Sequence, residues 1–295
     1  MKICLSCLSP LPDAGWHCAH CGRQPEQYGT IPSFAPRMTG VKAGYDPSWY
    51  EELVRLEADN FWFAARNRLI AFLARRYAPS CAKYMEIGCG TGFVLHMLRK
   101  SFPEWDMTAT ETQVDGLTFA QQRVPGDLLF LQMDACAIPF REEFDVIGAF
   151  DVLEHISDDE AAMAQIHMAL KNGGILLASV PQHRFLWSKY DAAACHHRRY
   201  GAKEFERTLQ KIGFIIMDSS SFNALLLPMM LLSRCLKNLQ QLENIDVLAE
   251  LRLSSWLNKL LAAVLHMEFR LIQLGVRFPF GGSKIVVARK SAEIR

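Results

Sequence analysis

Between residues 83 and 180, short apolar runs alternate with longer stretches in which apolar positions recur every three or four residues. Runs of the first kind predict buried strands, stretches of the second kind amphipathic helices. Lys83-Tyr84-Met85-Glu86-Ile87 reads as a strand, and Phe93 to Arg99 as a helix. Trp105 to Thr110 is a second strand ending at Glu111, followed by a helix over Gln113 to Arg123. Leu128 to Met133 is a third strand ending at Asp134, and Phe144 to Phe150 a fourth ending at Asp151. A helix from Asp158 to Leu170 stops at Asn172-Gly173-Gly174, which reads as a C-cap. Ile175 to Val180 is the fifth strand, Phe214 to Met217 the sixth and Lys284 to Arg289 the seventh. Strands alternating with helices predict an α/β fold with a doubly wound, seven-stranded sheet, and ligands of such sheets bind beyond the C-terminal ends of the strands.

The flanks follow other rules. Helices starting near Glu51 and Phe61 precede the first strand and close at Pro79. Residues 222–275 carry two apolar stretches, Leu225 to Leu232 and Trp256 to Leu265, that the sheet itself does not need. They are expected to form a helical insertion before the last strand, lying at an interface or over an apolar pocket. At the other end, Cys4-x-x-Cys7 and Cys18-x-x-Cys21 form two knuckles in a segment too short to build a core without a metal. His17 or His20 could substitute as a ligand, but Cys4, Cys7, Cys18 and Cys21 are the simplest set for one zinc, and a closed four-thiolate site is structural. The expected organisation is a zinc ribbon over 1–36, a linker over 37–48 and the α/β domain over 49–295.

Composition narrows the function. The chain has 295 residues, 50% of them hydrophobic, and a formal net charge of +1. So balanced a charge argues against a large nucleic-acid footprint. The other cysteines, Cys81, Cys89, Cys136, Cys195 and Cys235, are scattered and read as small buried apolar groups. The start shows no apolar leader, and the longest apolar stretches fall short of the roughly 20 residues a bilayer-spanning helix needs. The expected location is cytoplasmic, with peripheral contact at the inner face of the membrane through 222–275.

The chemistry centres on Glu86-Ile87-Gly88-Cys89-Gly90-Thr91-Gly92. Its spacing is G-x-G-x-G, and the acid two residues ahead of the first glycine would repel a phosphate but suits a ligand carrying an amine. This pattern resembles motif I of class I S-adenosylmethionine-dependent methyltransferases. Glu111, at the end of the next strand, is placed to accept ribose hydroxyls. The resemblance implies that Asp134 accepts the adenine amino group beside the backbone N–H of Ala135. Phe150-Asp151-Val152-Leu153-Glu154-His155-Ile156 is similar to the D-V-L-E-H-I signature of bacterial members, and Phe61-Trp62-Phe63 with Arg66-Asn67 resembles their F-W-F-x-x-R-N segment. Val180 to His183, His197 to Tyr200, and Gly281-Gly282-Ser283 also fit. The resemblance implies a Rossmann-like methyltransferase sheet, Arg66 near the methionine carboxylate beneath Trp62, and Phe150 against the adenine or the sulfonium.

Methyl transfer from a sulfonium is an in-line displacement, so much of the catalysis is alignment and exclusion of water. A hydroxyl acceptor still needs a general base. Candidates are Asp151, His155, His183, His196 and His197, with Glu154 and His155 expected to be structural. The cluster His196-His197-Arg198-Arg199-Tyr200 is a candidate for holding an anionic acceptor group. The expected function is methyl transfer to oxygen of a small hydrophobic or lipid-linked acceptor. The alternatives are an RNA base methyltransferase that contacts RNA through the ribbon, and a non-enzymatic cofactor-binding adaptor. The near-neutral charge, the apolar insertion and the lack of a base-pocket motif after the fourth strand speak against RNA.

Overall fold

The computed structural model describes residues 1–38, 48–238 and 246–291. Most of the linker expected over 37–48, and residues 239–245 of the insertion, lie outside them. The chain opens with two short strands, β1 (Glu26–Tyr28) and β2 (Ile31–Ser33), and two helices, α1 (Ser48–Glu57) and α2 (Phe61–Tyr77). The alternating region follows: β3 (Lys83–Ile87), α3 (Phe93–Ser101), β4 (Asp106–Glu111), α4 (Val114–Arg123) and β5 (Leu129–Gln132). It continues through β6 (Phe144–Phe150), α5 (Asp159–Ala169) and β7 (Leu170–Pro181). Next come α6 (Lys189–Ala193), α7 (Glu204–Ile212) and β8 (Phe214–Phe222). The insertion supplies α8 (Leu227–Asn238) and α9 (Ser255–Gln273) before β9 (Ser283–Lys290).

Local chemistry sets these boundaries. Asn60 caps α2 by accepting from the Trp62 N–H at 2.9 Å, and Asp158 caps α5 by accepting from the Ala161 N–H at 2.9 Å. Among the described residues the strands form one sheet in the order β1-β2-β5-β4-β3-β6-β7-β9-β8. Strands β3 to β7 pair in parallel, and β9 runs antiparallel between β7 and β8. Strand β6 is buried along nearly its whole length, because helices cover both faces of the sheet. One apolar layer joins Leu69, Leu73, Leu95, Leu117 and Phe269 from α2, α3, α4 and α9; the other joins Met163, Ile166, Phe205 and Leu209 from α5 and α7.

The sheet from β3 to β9 is the expected seven-stranded one, with three departures. Asn172-Gly173-Gly174 does not cap a helix: α5 ends at Ala169, and Leu170 already pairs with Phe144 of β6. The next pair is Val146 with Ile175, so residues 171–174 bulge out of β7, with Gly173 at φ +79°. The ribbon's hairpin, β1 and β2, extends the sheet through Ser33 pairing with Gln132 of β5. Of the scattered cysteines, Cys89 is buried, Cys136 is half-buried, and Cys81 and Cys195 are exposed because they lie in connecting loops. The side chain of Cys235 lies outside the described residues.

In the insertion, α9 lies on α2, with Phe72 and Phe269 edge to face at 5.8 Å. Its outer side exposes Trp256, Leu260 and Met267. Among the described residues no helix is long and apolar enough to cross a membrane.

Candidate active site

At the end of β3 the chain turns through Gly88 at φ +65° and Gly90 at φ +51°, in the left-handed region that glycine tolerates. A Cβ on Gly88 would stand 2.4 Å from Cγ2 of Val152, so glycine there lets the turn after β6 pack against the turn after β3. Gly90 lines a cavity, and no atom lies within 4 Å of where its Cβ would stand. The backbone is therefore open to close approach by a ligand.

That cavity has a volume of about 730 Å³ and lies beyond the C-terminal ends of β3 to β6. Its lining includes Glu86, Gly88, Glu111, Asp134 and Ala135. Glu86 is buried and accepts from the Tyr84 hydroxyl at 2.8 Å. Burial pushes its carboxyl up to about 8, against the smaller opposing effects of Tyr84 and Arg66. Glu111 Oε1 is engaged by Thr112 N at 2.7 Å, Thr112 Oγ1 at 2.9 Å and Gln113 N at 3.3 Å. Among the described residues its Oε2 accepts from Gly90 N at 3.1 Å and retains an acceptor position. Asp134 Oδ1 accepts from Cys136 N at 2.8 Å, which fixes the turn that carries Ala135.

The lining also includes Arg66, Phe150, Asp151, Glu154, His155, His196 and His197. Arg66 lies over the Trp62 ring at 4.6 Å and reaches Asp151 Oδ2 with Nη1 at 2.5 Å. Asp151 sits at φ +53° just after β6 and also accepts from Ser179 Oγ at 3.1 Å. A left-handed conformation at a non-glycine residue costs about 1–3 kcal/mol, and these two partners hold it.

The histidines differ in setting. Burial, with lesser effects from His196 and His197, pushes His155 down to about 3, so its ring stays neutral. His196 meets the His155 ring edge to face at 4.6 Å, and its Nδ1 lies 3.2 Å from Oδ1 of Asp191. Burial raises the Asp191 carboxyl, but His196, Arg199 and Ser188 outweigh it and hold it well below the usual carboxylate range. A carboxylate at Nδ1 fixes the imidazole and leaves Nε2 as the working nitrogen. His183 is not part of the cavity wall; its ring stacks between Phe185 at 4.8 Å and Phe280 at 5.6 Å. Glu154, His155 and His196 place one ligand atom each within 4.8 Å of one another. Arg198 is engaged by Asp159 and the Ser157 carbonyl, and Arg199 by Asp191 and the Gln182 carbonyl. These two cations thus hold their own loop in place, and the expected anion site over 196–200 finds its arginines already paired.

Several residues complete the cavity that patterning did not reveal. Glu57 at the end of α1 is buried, accepts from Thr91 Oγ1 at 2.7 Å and pairs with Arg123 Nη1 at 2.5 Å. The bond clamps α1 over the glycine turn, and the partners' separation along the chain left no local signal. Asp191 is likewise invisible until the fold brings it to His196. Met38 from beyond the ribbon lines the cavity, its carbonyl accepting from Gln113 Nε2 at 3.3 Å. Leu226, Met229, Met230 and Arg234 line the cavity from α8 and its approach. Glu268 of α9 accepts from Leu225 N at 2.9 Å and so anchors the approach to α8.

The ribbon brings Sγ of Cys4, Cys7, Cys18 and Cys21 within 4.8 Å of one another, with Cys4–Cys21 and Cys7–Cys18 both at 3.6 Å. Tetrahedral zinc with bonds of about 2.3 Å separates its sulfurs by about 3.8 Å, so the four thiols fit that ion. His17 and His20 stand outside the cluster.

Comparison with known proteins adds a family. Residues 56–218 match the methyltransferase domain family. Trans-aconitate 2-methyltransferase of Variovorax paradoxus is 30% identical over 112 residues, 38% of this chain and 43% of that protein. Malonyl-[acyl-carrier protein] O-methyltransferase of Bacillus cereus is 28% identical over 119 residues, 40% of this chain and 44% of that protein. The chain thus spans less than half the length of these curated relatives. Among solved structures, a chain from the complex of the Haloferax volcanii Trm112 methyltransferase activator with a methyltransferase superposes with a TM-score of 0.57 at 15% identity. That match covers 83% of this chain and 97% of the other, and at such identity it speaks for the fold alone.

Proposed function

Because the chain belongs to the methyltransferase domain family, we propose that it is a class I S-adenosylmethionine-dependent methyltransferase that transfers a methyl group to an oxygen of a small hydrophobic or lipid-linked acceptor. The observation that carries this reading is a single cavity with two kinds of lining. Carboxylates and a glycine turn line it together with an aspartate-held histidine and the methionines of α8. When bound, S-adenosylmethionine supplies an electrophilic methyl group on a sulfonium. Glu86 suits its amine, Arg66 its carboxylate, Glu111 its ribose through Oε2, and Asp134 with Ala135 N–H its adenine, while Phe150 and Trp62 supply apolar contact. On the acceptor side, Leu226, Met229 and Met230 exclude water and favour an apolar body.

A hydroxyl proton needs a receiver. His196 is the preferred candidate, because it lines the cavity and Asp191 engages Nδ1, which leaves Nε2 to receive the proton. His155 is a weaker base at about 3, Asp151 is tied to Arg66, and His183 lies outside the cavity wall. The four ribbon cysteines hold a structural zinc in this reading. The test is transfer of labelled methyl from S-adenosylmethionine into a lipid extract and into RNA. Label in a lipid fraction that falls about 10²- to 10⁴-fold in His196→Ala supports the proposal. Label in RNA, or none in any fraction from protein that binds the cofactor, contradicts it.

A further inference from the structure

We propose that Glu154 and His155 hold a second hydroxyl of the acceptor, beside the one that is methylated, so that the substrate class is a vicinal diol on an apolar body. This rests on the reading of the cavity as an oxygen-methylating site in which His196 receives the proton. Glu154 and His155 both line the cavity. Each keeps a buried polar atom, Glu154 Oε2 and His155 Nδ1, with no hydrogen-bond partner among the described residues. Leaving such atoms unpaired is costly, and two of them on adjacent residues of a cavity wall point to a ligand that pairs them. His196 is their neighbour. The His155 and His196 rings meet edge to face at 4.6 Å, and one ligand atom from each of the three residues lies within 4.8 Å of the other two. A pair of adjacent oxygens is small enough to reach all three.

The count of donors and acceptors gives the ligand its form. Burial, with the Asp151 carboxylate nearby, holds Glu154 well above the usual carboxylate range against the smaller opposing effects of Arg199 and Arg66. It therefore stands as the neutral acid, with one O–H to donate. The neutral His155 ring donates to the Ala194 carbonyl, and with Nδ1 unpartnered the donor is Nε2–H. Nδ1 is left as an acceptor. His196 offers a second acceptor at Nε2, since Asp191 engages Nδ1. The wall thus presents one donor and two acceptors. A single hydroxyl has one hydrogen and cannot serve two acceptors, whereas two adjacent hydroxyls can. The first gives its proton to His196 as its oxygen takes the methyl group. The second donates to His155 Nδ1, accepts from Glu154 and keeps its proton throughout.

The experiment offers the full chain matched probes: hexylcatechol against hexylphenol, and a vicinal decanediol against decanol. Methyl transfer is read beside calorimetric binding of each probe to protein saturated with S-adenosylhomocysteine. A diol should bind and react at least about tenfold better than its matched alcohol, and the pair that shows the preference tells an aromatic diol from an aliphatic one. Glu154→Gln keeps a donor in the same place and should keep the preference. Glu154→Leu and His155→Leu should each erase it in protein that still binds S-adenosylhomocysteine. Diols that bind and react no better than their matched alcohols overturn the inference and leave the methyl-transfer reading intact, and this comparison needs wild-type protein alone. A preference that requires added magnesium or manganese, or that Glu154→Gln removes, also overturns it, because a carboxylate holding a cation would then read the oxygens. Wild-type protein that binds no S-adenosylhomocysteine fails the underlying reading, and the inference with it.

Discussion

Glu86 presents a carboxyl that burial keeps protonated near neutral pH, at a position where the family's cofactor brings an amine. A cationic amine beside it favours the carboxylate over the neutral acid, so cofactor binding should expel the proton. Calorimetry at about pH 6.5 in buffers of different ionisation enthalpy should show about one proton released per site, and none in Glu86→Gln; buffer-independent heats would contradict this. The sign for stability follows from the same shift. An unfolded glutamate loses its proton near pH 4.3, whereas the folded, cofactor-free protein keeps it up to about 8. Stability from Glu86 is thus full below the unfolded value and declines as pH rises through that window. The melting temperature of Glu86→Gln should fall less between about pH 5 and pH 8 than that of wild type. Asp191 acts through His196 and is a positioning residue. Asp191→Asn should lower kcat about tenfold or more and change its pH profile while leaving cofactor affinity intact; an unchanged profile would remove the pair from the mechanism.

Elements differ in how readily the sequence announces them. Strand β6 is buried along nearly its whole length and reads as a near-continuous apolar run, and acids mark the ends of β4 and β6. The stretch Asn172-Gly173-Gly174 is ambiguous by nature, because glycines that permit a left-handed turn serve a helix end and a strand bulge equally. The ribbon's docking was hidden for another reason. Its strands are three residues long, and Gln132 joins them to the sheet through side-chain bonds that no period reveals. Gln132 accepts from Ser33 Oγ at 2.6 Å and donates to the Thr112 carbonyl at 2.9 Å, one residue from Glu111. Metal loading of the ribbon should therefore reach the cofactor site. Chelation is expected to lower the melting temperature and to weaken S-adenosylmethionine binding, and zinc should restore both. A fully chelated protein with wild-type cofactor affinity would confine the ribbon's role to itself.

At the scale of the molecule, the cofactor half of the cavity was the legible half. Its acids stand at strand ends beside glycines, and strand register alone brings Glu86, Glu111 and Asp134 to one edge of the sheet. The acceptor half is assembled from loops and an insertion distant in sequence, so His183 and His196, both plausible in the chain, part company in space. Asp191 and Glu57 owe their roles wholly to that assembly. The measurement that tests the account most directly is calorimetric titration of the zinc-loaded protein with S-adenosylmethionine, repeated with Glu111→Ala. Glu111 would give the ribose a charged acceptor, and such bonds are worth about 1.5–3 kcal/mol each. Saturable binding by wild type, weakened about a hundredfold in a variant that melts as a folded protein, is the predicted result. A folded wild-type protein that binds no cofactor, or a variant that binds as tightly as wild type, would contradict the assignment of this cavity.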